Sequence, residues 1–246
     1  MEEELKAFDF WGYCDLDQIF GDLNRFITDE ILEKYDKLFC LGHMTLFRNT
    51  QSINQLFTKK LEDKTYLKTS YKQIFEDENN YVFDEWPEKI VNINVLAKQE
   101  NIKVYYDKNG ILDVMAFRSI FANVKYNAEK NVWIEDEEKK NFIVVWENGK
   151  LYSYTKNSNR KLKKCEVMYV HIQKRKMKNG ETYNKKKSII IIPNRYCYLE
   201  HYNEKTLNRY FNLINIRKLL KIDEIKSRFF GKSVTRKFKK LLNFKK

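Results

Sequence analysis

The pair Asn148-Gly149 stands between two short runs of β-branched and aromatic residues, Phe142–Trp146 and Leu151–Tyr154. A two-residue connection between strands needs positive φ at both central positions, and Asn-Gly tolerates that best. No other feature constrains the fold as much, because it places an antiparallel hairpin in the middle of the chain. Further strand patterns surround it at Ile102–Tyr106, Val132–Ile134, Val167–Ile172 and Ser188–Ile192. The four isoleucines of the last read as a buried strand. Asn179-Gly180 marks another turn. Phe8–Cys14, at the start, is an apolar, aromatic strand pattern that ends in Asp15-Leu16-Asp17.

The patterns between these strands are helical. Residues 1–7 look like the end of a helix. Asp29–Phe39 reads as a helix or helix-loop, Leu41–Arg48 as a short strand or loop, and Leu67–Phe75 as a helix. Thr50–Lys60 would bury Ile53, Leu56 and Phe57 on one face. Pro87 suits the first turn of a helix running to Glu100, with Ile90, Ile93, Val95 and Leu96 inward. Helices first, then a β meander, then a helical tail predict an α/β fold without internal repeats. With 246 residues, 43% hydrophobic and 15% aromatic, the chain is long and apolar enough to bury a core. Seven Gly and two Pro exclude collagen-like and low-complexity classes. No apolar run approaches the ~20 residues of a membrane span. The acidic start Met1-Glu2-Glu3-Glu4 is unlike a secretory signal. Cys14, Cys40, Cys165 and Cys197 lack metal spacing and are expected to be buried free thiols of a reducing compartment.

Charge is concentrated at one end. Residues 205–246 carry 14 Lys and Arg against two acids, so 12 of the 13 units of formal positive charge lie there. The body, 1–204, is nearly neutral. Within the tail Leu207, Tyr210, Phe211, Ile214, Leu219, Ile222 and Ile225 recur at helical spacing. Phe229, Phe230, Val234, Phe238, Leu241 and Leu242 repeat the pattern around Gly231, which could break the helix. A basic amphipathic helix of this kind either lies on an anionic membrane or packs on the body, and both readings stand for 205–230. For 231–246 the membrane is favoured. So many large apolar residues disfavour a nucleic-acid tail.

Alternate residues of a strand share a face, so Asp15 and Asp17 would point the same way at the end of a buried strand. Two carboxylates so placed repel unless a cation joins them. Mg²⁺ or Mn²⁺ with a diphosphate is the usual partner of such hard oxygen ligands. D-x-D by itself is a short motif that also arises by chance.

Three segments carry a resemblance. They are Phe10-Trp-Gly-Tyr-Cys-Asp-Leu-Asp-Gln-Ile-Phe-Gly-Asp-Leu23, Tyr35-Asp-Lys-Leu-Phe39 and Leu41-Gly-His-Met-Thr-Leu-Phe-Arg-Asn49. Phe83-Asp-Glu-Trp86 and Tyr169-Val-His-Ile-Gln-Lys-Arg-Lys-Met177 extend it over roughly residues 8–200. Together they resemble a family of bacterial proteins from capsule and lipopolysaccharide gene clusters, regarded as glycosyltransferases of the GT-A type. The resemblance implies a GT-A-like mixed sheet with a β-rich middle and a basic helical tail. In that fold a βαβ half of roughly 100 residues precedes the D-x-D. Here Asp15 comes almost at once, so the first half is expected to be missing or supplied by a partner chain.

The resemblance also implies roles. Asp17 would be the direct ligand of Mn²⁺ or Mg²⁺, Asp15 would face the metal or the ribose, and His171 would complete the metal shell. Lys174, Arg175 and Lys176 would neutralise the diphosphate leaving group. His43, Thr45 and Arg48 would contact donor sugar or acceptor. An inverting transfer needs a base for the acceptor hydroxyl, and Asp84 or Glu85 would supply it, beside Trp86 as a sugar platform. The implied protein is a cytoplasmic glycosyltransferase, peripheral on the inner face of the cell membrane through 205–246. It would move a sugar from a nucleotide-sugar to a glycan or lipid-linked acceptor in surface polysaccharide synthesis. The alternative is a non-catalytic, basic-tailed binding protein for nucleic acid or a polysaccharide-assembly partner, or an inactive fragment.

Overall fold

The computed structural model describes residues 2–79, 81, 90–106, 110–114, 121–127, 132–135, 141–173, 177–179 and 188–214. The fold is mixed α/β. Its first strands are β1 (Phe10–Cys14), β2 (Gln18–Phe20), β3 (Lys37–Leu38), β4 (Met44–Arg48) and β5 (Val104–Tyr105). Then come β6 (Ile111–Val114), β7 (Phe121–Asn127), β8 (Val132–Glu135), β9 (Ile143–Glu147) and β10 (Lys150–Lys156). The last are β11 (Leu162–Val167), β12 (Tyr169–His171), β13 (Lys178–Asn179), β14 (Ser188–Ile192) and β15 (Arg195–Leu199). Helices are short: α1 (Glu2–Leu5), α2 (Asp29–Lys34), α3 (Gln51–Asn54), α4 (Tyr71–Phe75) and α5 (Ile93–Gln99). Residues 204–214 are also helical.

Three sheets, rather than one, organise these strands. A four-stranded sheet has the order β1-β4-β3-β5, a five-stranded sheet β2-β12-β6-β7-β8, and a six-stranded sheet β11-β10-β9-β14-β15-β13. The Asn148-Gly149 hairpin joins β9 to β10, with φ of 51° and 80° at the two turn residues. The isoleucine run of β14 is central in the six-stranded sheet and is covered on both faces, which is why it is continuous rather than alternating. Val144, Leu151, Val167 and Ile191 meet Leu112, Val114, Phe121 and Val170 of the five-stranded sheet. On the opposite face Ile143, Val145, Ile190 and Ile192 receive Leu207, Phe211 and Ile214. Those three sit on one stripe of the 204–214 helix. The apolar face of this first part of the tail is therefore spent on the body. Residues 215–246 lie outside the described residues.

The other face of the five-stranded sheet packs on the β3–β4 region through Leu38, Phe39, Leu41, Met44, Ile111, Met168 and Tyr169. Beyond the four-stranded sheet, Ile53 of α3, Ile93, Leu96 and Ala97 of α5, and Val91 just before α5 are buried with Phe47. Among the described residues no helix is long and apolar enough to cross a membrane.

Several expectations change in detail. Val167–Ile172 is not one strand: Val167 ends β11 in one sheet and Tyr169 opens β12 in another. The 50–60 helix breaks into α3 and a 3₁₀ turn, Leu56–Thr58. The helix expected from Pro87 starts only at Ile93, because the Asn92 side chain accepts from the amides of Asn94 and Val95 and caps it. Ile90 instead bridges to Lys68. Strands β6 and β7 had no counterpart in the sequence reading. Among the cysteines, Cys40 and Cys197 are buried, but Cys14 and Cys165 are exposed.

Candidate metal centre

Asp15-Leu16-Asp17 forms the bend through which the chain leaves the four-stranded sheet and enters the five-stranded one. Among the described residues the strand before it is an edge strand paired only with β4, and its residues from Gly12 to Cys14 are exposed. This corrects the expectation of a buried strand end. Gly12 lets β1 press against β4: a Cβ there would sit 2.1 Å from the Thr45 carbonyl oxygen. The bend is clamped at both ends by backbone. Asp15 N donates to the His43 carbonyl at 2.8 Å, and Ile172 N donates to the Asp17 carbonyl at 2.9 Å. Leu16 is fully exposed, and the two carboxylates flanking it turn to the same place.

That place is the imidazole of His171, at the end of β12. Nε2 lies 3.3 Å from Asp17 Oδ1 and 3.5 Å from Asp15 Oδ2. Nδ1 lies 3.1 Å from Asp113 Oδ1. The register explains the convergence. β12 runs antiparallel to β2, placing His171 opposite Gln18, and parallel to β6, placing it opposite Asp113. His171 and Asp113 share the sheet face of Tyr169 and Ile111, while Val170 and Leu112 face the six-stranded sheet. Gln173, in a left-handed turn at φ 52°, donates from Nε2 to Asp113 Oδ2 at 2.9 Å.

His43 enters from the loop between β3 and β4. Its ring lies against that of His171, centroids 3.8 Å apart and planes tilted by 37°. Its Nε2 is 3.7 Å from Asp113 Oδ2, and its carbonyl accepts from Gln18 Nε2. Every residue from Lys37 to Thr45 is buried. Lys37 Nζ donates to the Phe39 carbonyl and to Thr45 Oγ1, and lies 5.2 Å from the centre of the Phe47 ring. Phe39 itself has φ 64°, a left-handed conformation unusual for an aromatic residue.

The two histidines differ in charge state. Burial pushes His43 down to about 4, aided by the neighbouring charge of His171 and opposed by Asp113 and Asp17, so it is neutral at neutral pH. Burial acts against the charged form of His171 as well. There the hydrogen bond and charge of Asp113, with Asp17 and Asp15, outweigh it and raise the group above the ordinary range. The Tyr196 phenol is also held up, by burial first and then by the charges of Tyr198 and Asp17. Three carboxylates around one imidazole make a locally anionic site that favours a cation.

Among the described residues two sets of atoms lie close enough to chelate: Asp15, Asp17 and His171, and His43, Asp113 and His171, each within 4.8 Å. The first fits an ion better. Its carboxylates and Nε2 face one another across a partly open space. In the second, the two imidazole rings lie against each other, centroids 3.8 Å apart, and both histidines are buried. Two carboxylate oxygens and one imidazole nitrogen suit Mn²⁺, and Mg²⁺ where phosphate oxygens join.

Of the residues singled out in the sequence, Asp15, Asp17, His171 and His43 are brought together. Thr45 is buried and bonded to Lys37, the Leu38 carbonyl and the Phe39 carbonyl. Arg48 pairs with Asp36 and donates to the carbonyls at the end of α2. Both are occupied in holding the fold rather than presented to a ligand. Asp84, Glu85, Trp86, Lys174, Arg175 and Lys176 lie outside the described residues. Asp113 and Gln173 were missed. The available signal was a single acid inside the apolar run Ile111-Leu-Asp-Val114, a place where a carboxylate stays only with partners.

One family model, described as a family of unknown function (DUF6625), matches residues 1–200. No curated protein matches the chain, and no solved structure does.

Proposed function

The chain belongs to DUF6625, a family of unknown function, and from that premise and the geometry of the carboxylate cluster we propose a metal-dependent glycosyltransferase of the GT-A type. Its substrates are a nucleotide-sugar and a glycan or lipid-linked acceptor. One observation carries the reading: two aspartates of a D-x-D bend meet the imidazole of a histidine more than 150 residues away, within 3.5 Å. A divalent ion held there by Asp15, Asp17 and His171 would supply positive charge to offset the diphosphate of the donor. Asp15 and Asp17 supply hard oxygens to it, and His171 supplies Nε2. His43, neutral and buried, forms the back wall and keeps water from that side. Asp84 or Glu85 takes the acceptor proton, and Lys174, Arg175 and Lys176 offset charge on the leaving diphosphate. The basic residues beyond residue 214 hold the protein against an anionic membrane.

A thermal-shift panel of UDP, GDP and CDP, with and without Mn²⁺, on wild type and Asp17→Asn tests this. A ligand at about 100 times its Kd adds ~2.7 kcal/mol to stability. The expected result is a Mn²⁺-dependent shift with one nucleotide that Asp17→Asn abolishes. No shift with any nucleotide, or an equal shift in the variant, overturns the reading.

The charge of 205–246 favours a second reading, a non-catalytic binder of nucleic acid. It requires affinity that falls steeply with salt through counterion release. That affinity would be indifferent to Asp15 and Asp17.

A further inference from the structure

Positive charge within the body is gathered at one place. Between 155 and 165 the chain carries Lys156, Arg160, Lys161, Lys163 and Lys164 and no acid. The rest of 1–204 then holds 28 basic groups against 32 acidic ones, a net of −4. The stretch is the turn between β10 and β11 with the strand ends that flank it. Elsewhere cations are matched: Arg25 pairs with Glu166, Arg48 with Asp36, Lys59 with Glu100 and Lys68 with Asp77. Among the described residues none of the five at this turn meets a carboxylate. Like charges held together repel, and an anionic surface relieves that repulsion.

The turn presents them on a fixed frame. Asn157 N donates to the Lys161 carbonyl at 3.0 Å, Arg160 N to the Asn157 carbonyl at 2.9 Å, and Lys161 N to Asn157 Oδ1 at 2.8 Å. Lys164 stands opposite Tyr154, on the sheet face that the 204–214 helix covers, with its Nζ 3.6 Å from the centre of the Tyr152 ring. Lys156 lies on the same face, its Nζ 5.1 Å from the centre of the Phe211 ring. Lys163, opposite Thr155, takes the other face. Arg160 and Lys161 occupy the exposed end between them. Charge on both faces and at the end suits end-on contact with an extended surface.

The Lys156–Phe211 contact also locates the tail. The described helix runs only three residues beyond Phe211, to Ile214, so 215–246 is attached beside this turn. That segment carries 12 Lys and Arg against two acids, with large apolar residues such as Phe229, Phe230 and Phe238 among them. Such a mixture suits a lipid surface better than a nucleic acid. We propose that the β10–β11 turn is a second membrane contact, which seats the body on anionic lipid headgroups next to the attachment of the tail. The proposal rests on the membrane part of the reading above and adds that the body binds as well as the tail. Two contacts joined at one point strengthen each other, because the first raises the effective concentration of the second.

Sedimentation of the full-length protein with phosphatidylcholine vesicles, with and without phosphatidylserine, tests this. The variant is Arg160→Asn, Lys161→Gln and Lys163→Gln together, which spares the two lysines that lie on rings. A control with Lys60→Gln, Lys64→Gln and Lys72→Gln removes the same charge from exposed positions far along the chain. Each cation at an anionic surface is worth about fivefold in affinity, so the turn variant should bind phosphatidylserine vesicles roughly 100-fold more weakly. The control should bind like wild type, and all three proteins should unfold at the same urea concentration. Equal binding by wild type and the turn variant overturns the proposal and leaves the tail as the membrane contact. Equal losses in the turn variant and the control overturn it too, since net charge alone would then account for binding. No sedimentation of wild type with phosphatidylserine overturns the proposal and the membrane reading together. Duplex DNA bound in place of vesicles, with affinity that salt and the turn variant both abolish, gives the turn to nucleic acid and overturns the lipid assignment.

Discussion

Two connections meet at the His171 imidazole, and they are built in opposite ways. The β3–β4 loop delivers His43 and is buried throughout, from Lys37 to Thr45. The β1–β2 bend delivers Asp15 and Asp17 and is open, with Leu16 wholly exposed. A buried loop is costly, because its backbone polar groups need partners that water cannot supply. Here Lys37 Nζ serves the Phe39 carbonyl, and Asn94 Nδ2 donates to the Cys40 carbonyl at 3.0 Å. The open bend needs little of this. It is held by two backbone hydrogen bonds and leaves its carboxylates at the surface. One connection is thus buried and internally bonded and the other open with its carboxylates outward, even though both touch one ring.

The sharpest way to break this contrast is to truncate one leucine in each. Leu41→Ala, in the buried loop, should cost about 2–5 kcal/mol in urea unfolding, as a cavity that the loop cannot refill. Leu16→Ala, in the bend, should change stability by no more than about 0.5 kcal/mol. Comparable costs at the two positions would mean that the bend is covered in solution. Between these extremes the cysteines give a kinetic version. Cys14, at the edge of the open bend, should react with a thiol reagent at the rate of an exposed cysteine. Cys40 sits inside the buried loop, where burial pushes its thiol up despite Lys37. It should react only as fast as the protein opens. Equal rates in the native protein would show that the loop opens freely.

The contrast itself was not readable in the sequence, though some of the elements around it were, and the unreadable part has physical causes. Asn148-Gly149 announced its hairpin because a turn with two positive φ values admits few residue pairs. The isoleucines of β14 announced a two-sided strand because nothing else needs four of them together. Asp15 and Asp17 stood out by residue type and by a spacing that suggested they act together, whereas His171 entered only through the resemblance. Asp113 did not stand out. Its role depends on the parallel register of β6 and β12, between strands nearly sixty residues apart, and no local pattern encodes such a pairing. Helix lengths were overread for a related reason. Helical spacing over 50–60 and 87–100 persists beyond the points where Asn92 and the turn after α3 end regular hydrogen bonding. For 205–230 the sequence left membrane and body both open, and Leu207, Phe211 and Ile214 pack against β9 and β14.

The single residue between β11 and β12 has a mechanical consequence. β11 is an edge strand, and edge strands are usually the first to exchange their amides with solvent. One residue later, beyond the fully buried Met168, the same extended chain is an interior strand of another sheet. Met168 is tied on both sides, its amide to the Gly110 carbonyl at 2.7 Å and its carbonyl to the Gly21 amide at 2.8 Å. Fraying that begins at Leu162 must therefore stop there or draw His171 out of register with Gln18 and Asp113 together. The histidine cannot drift out of alignment gradually: its place is kept or lost along with the cooperative unfolding of two sheets.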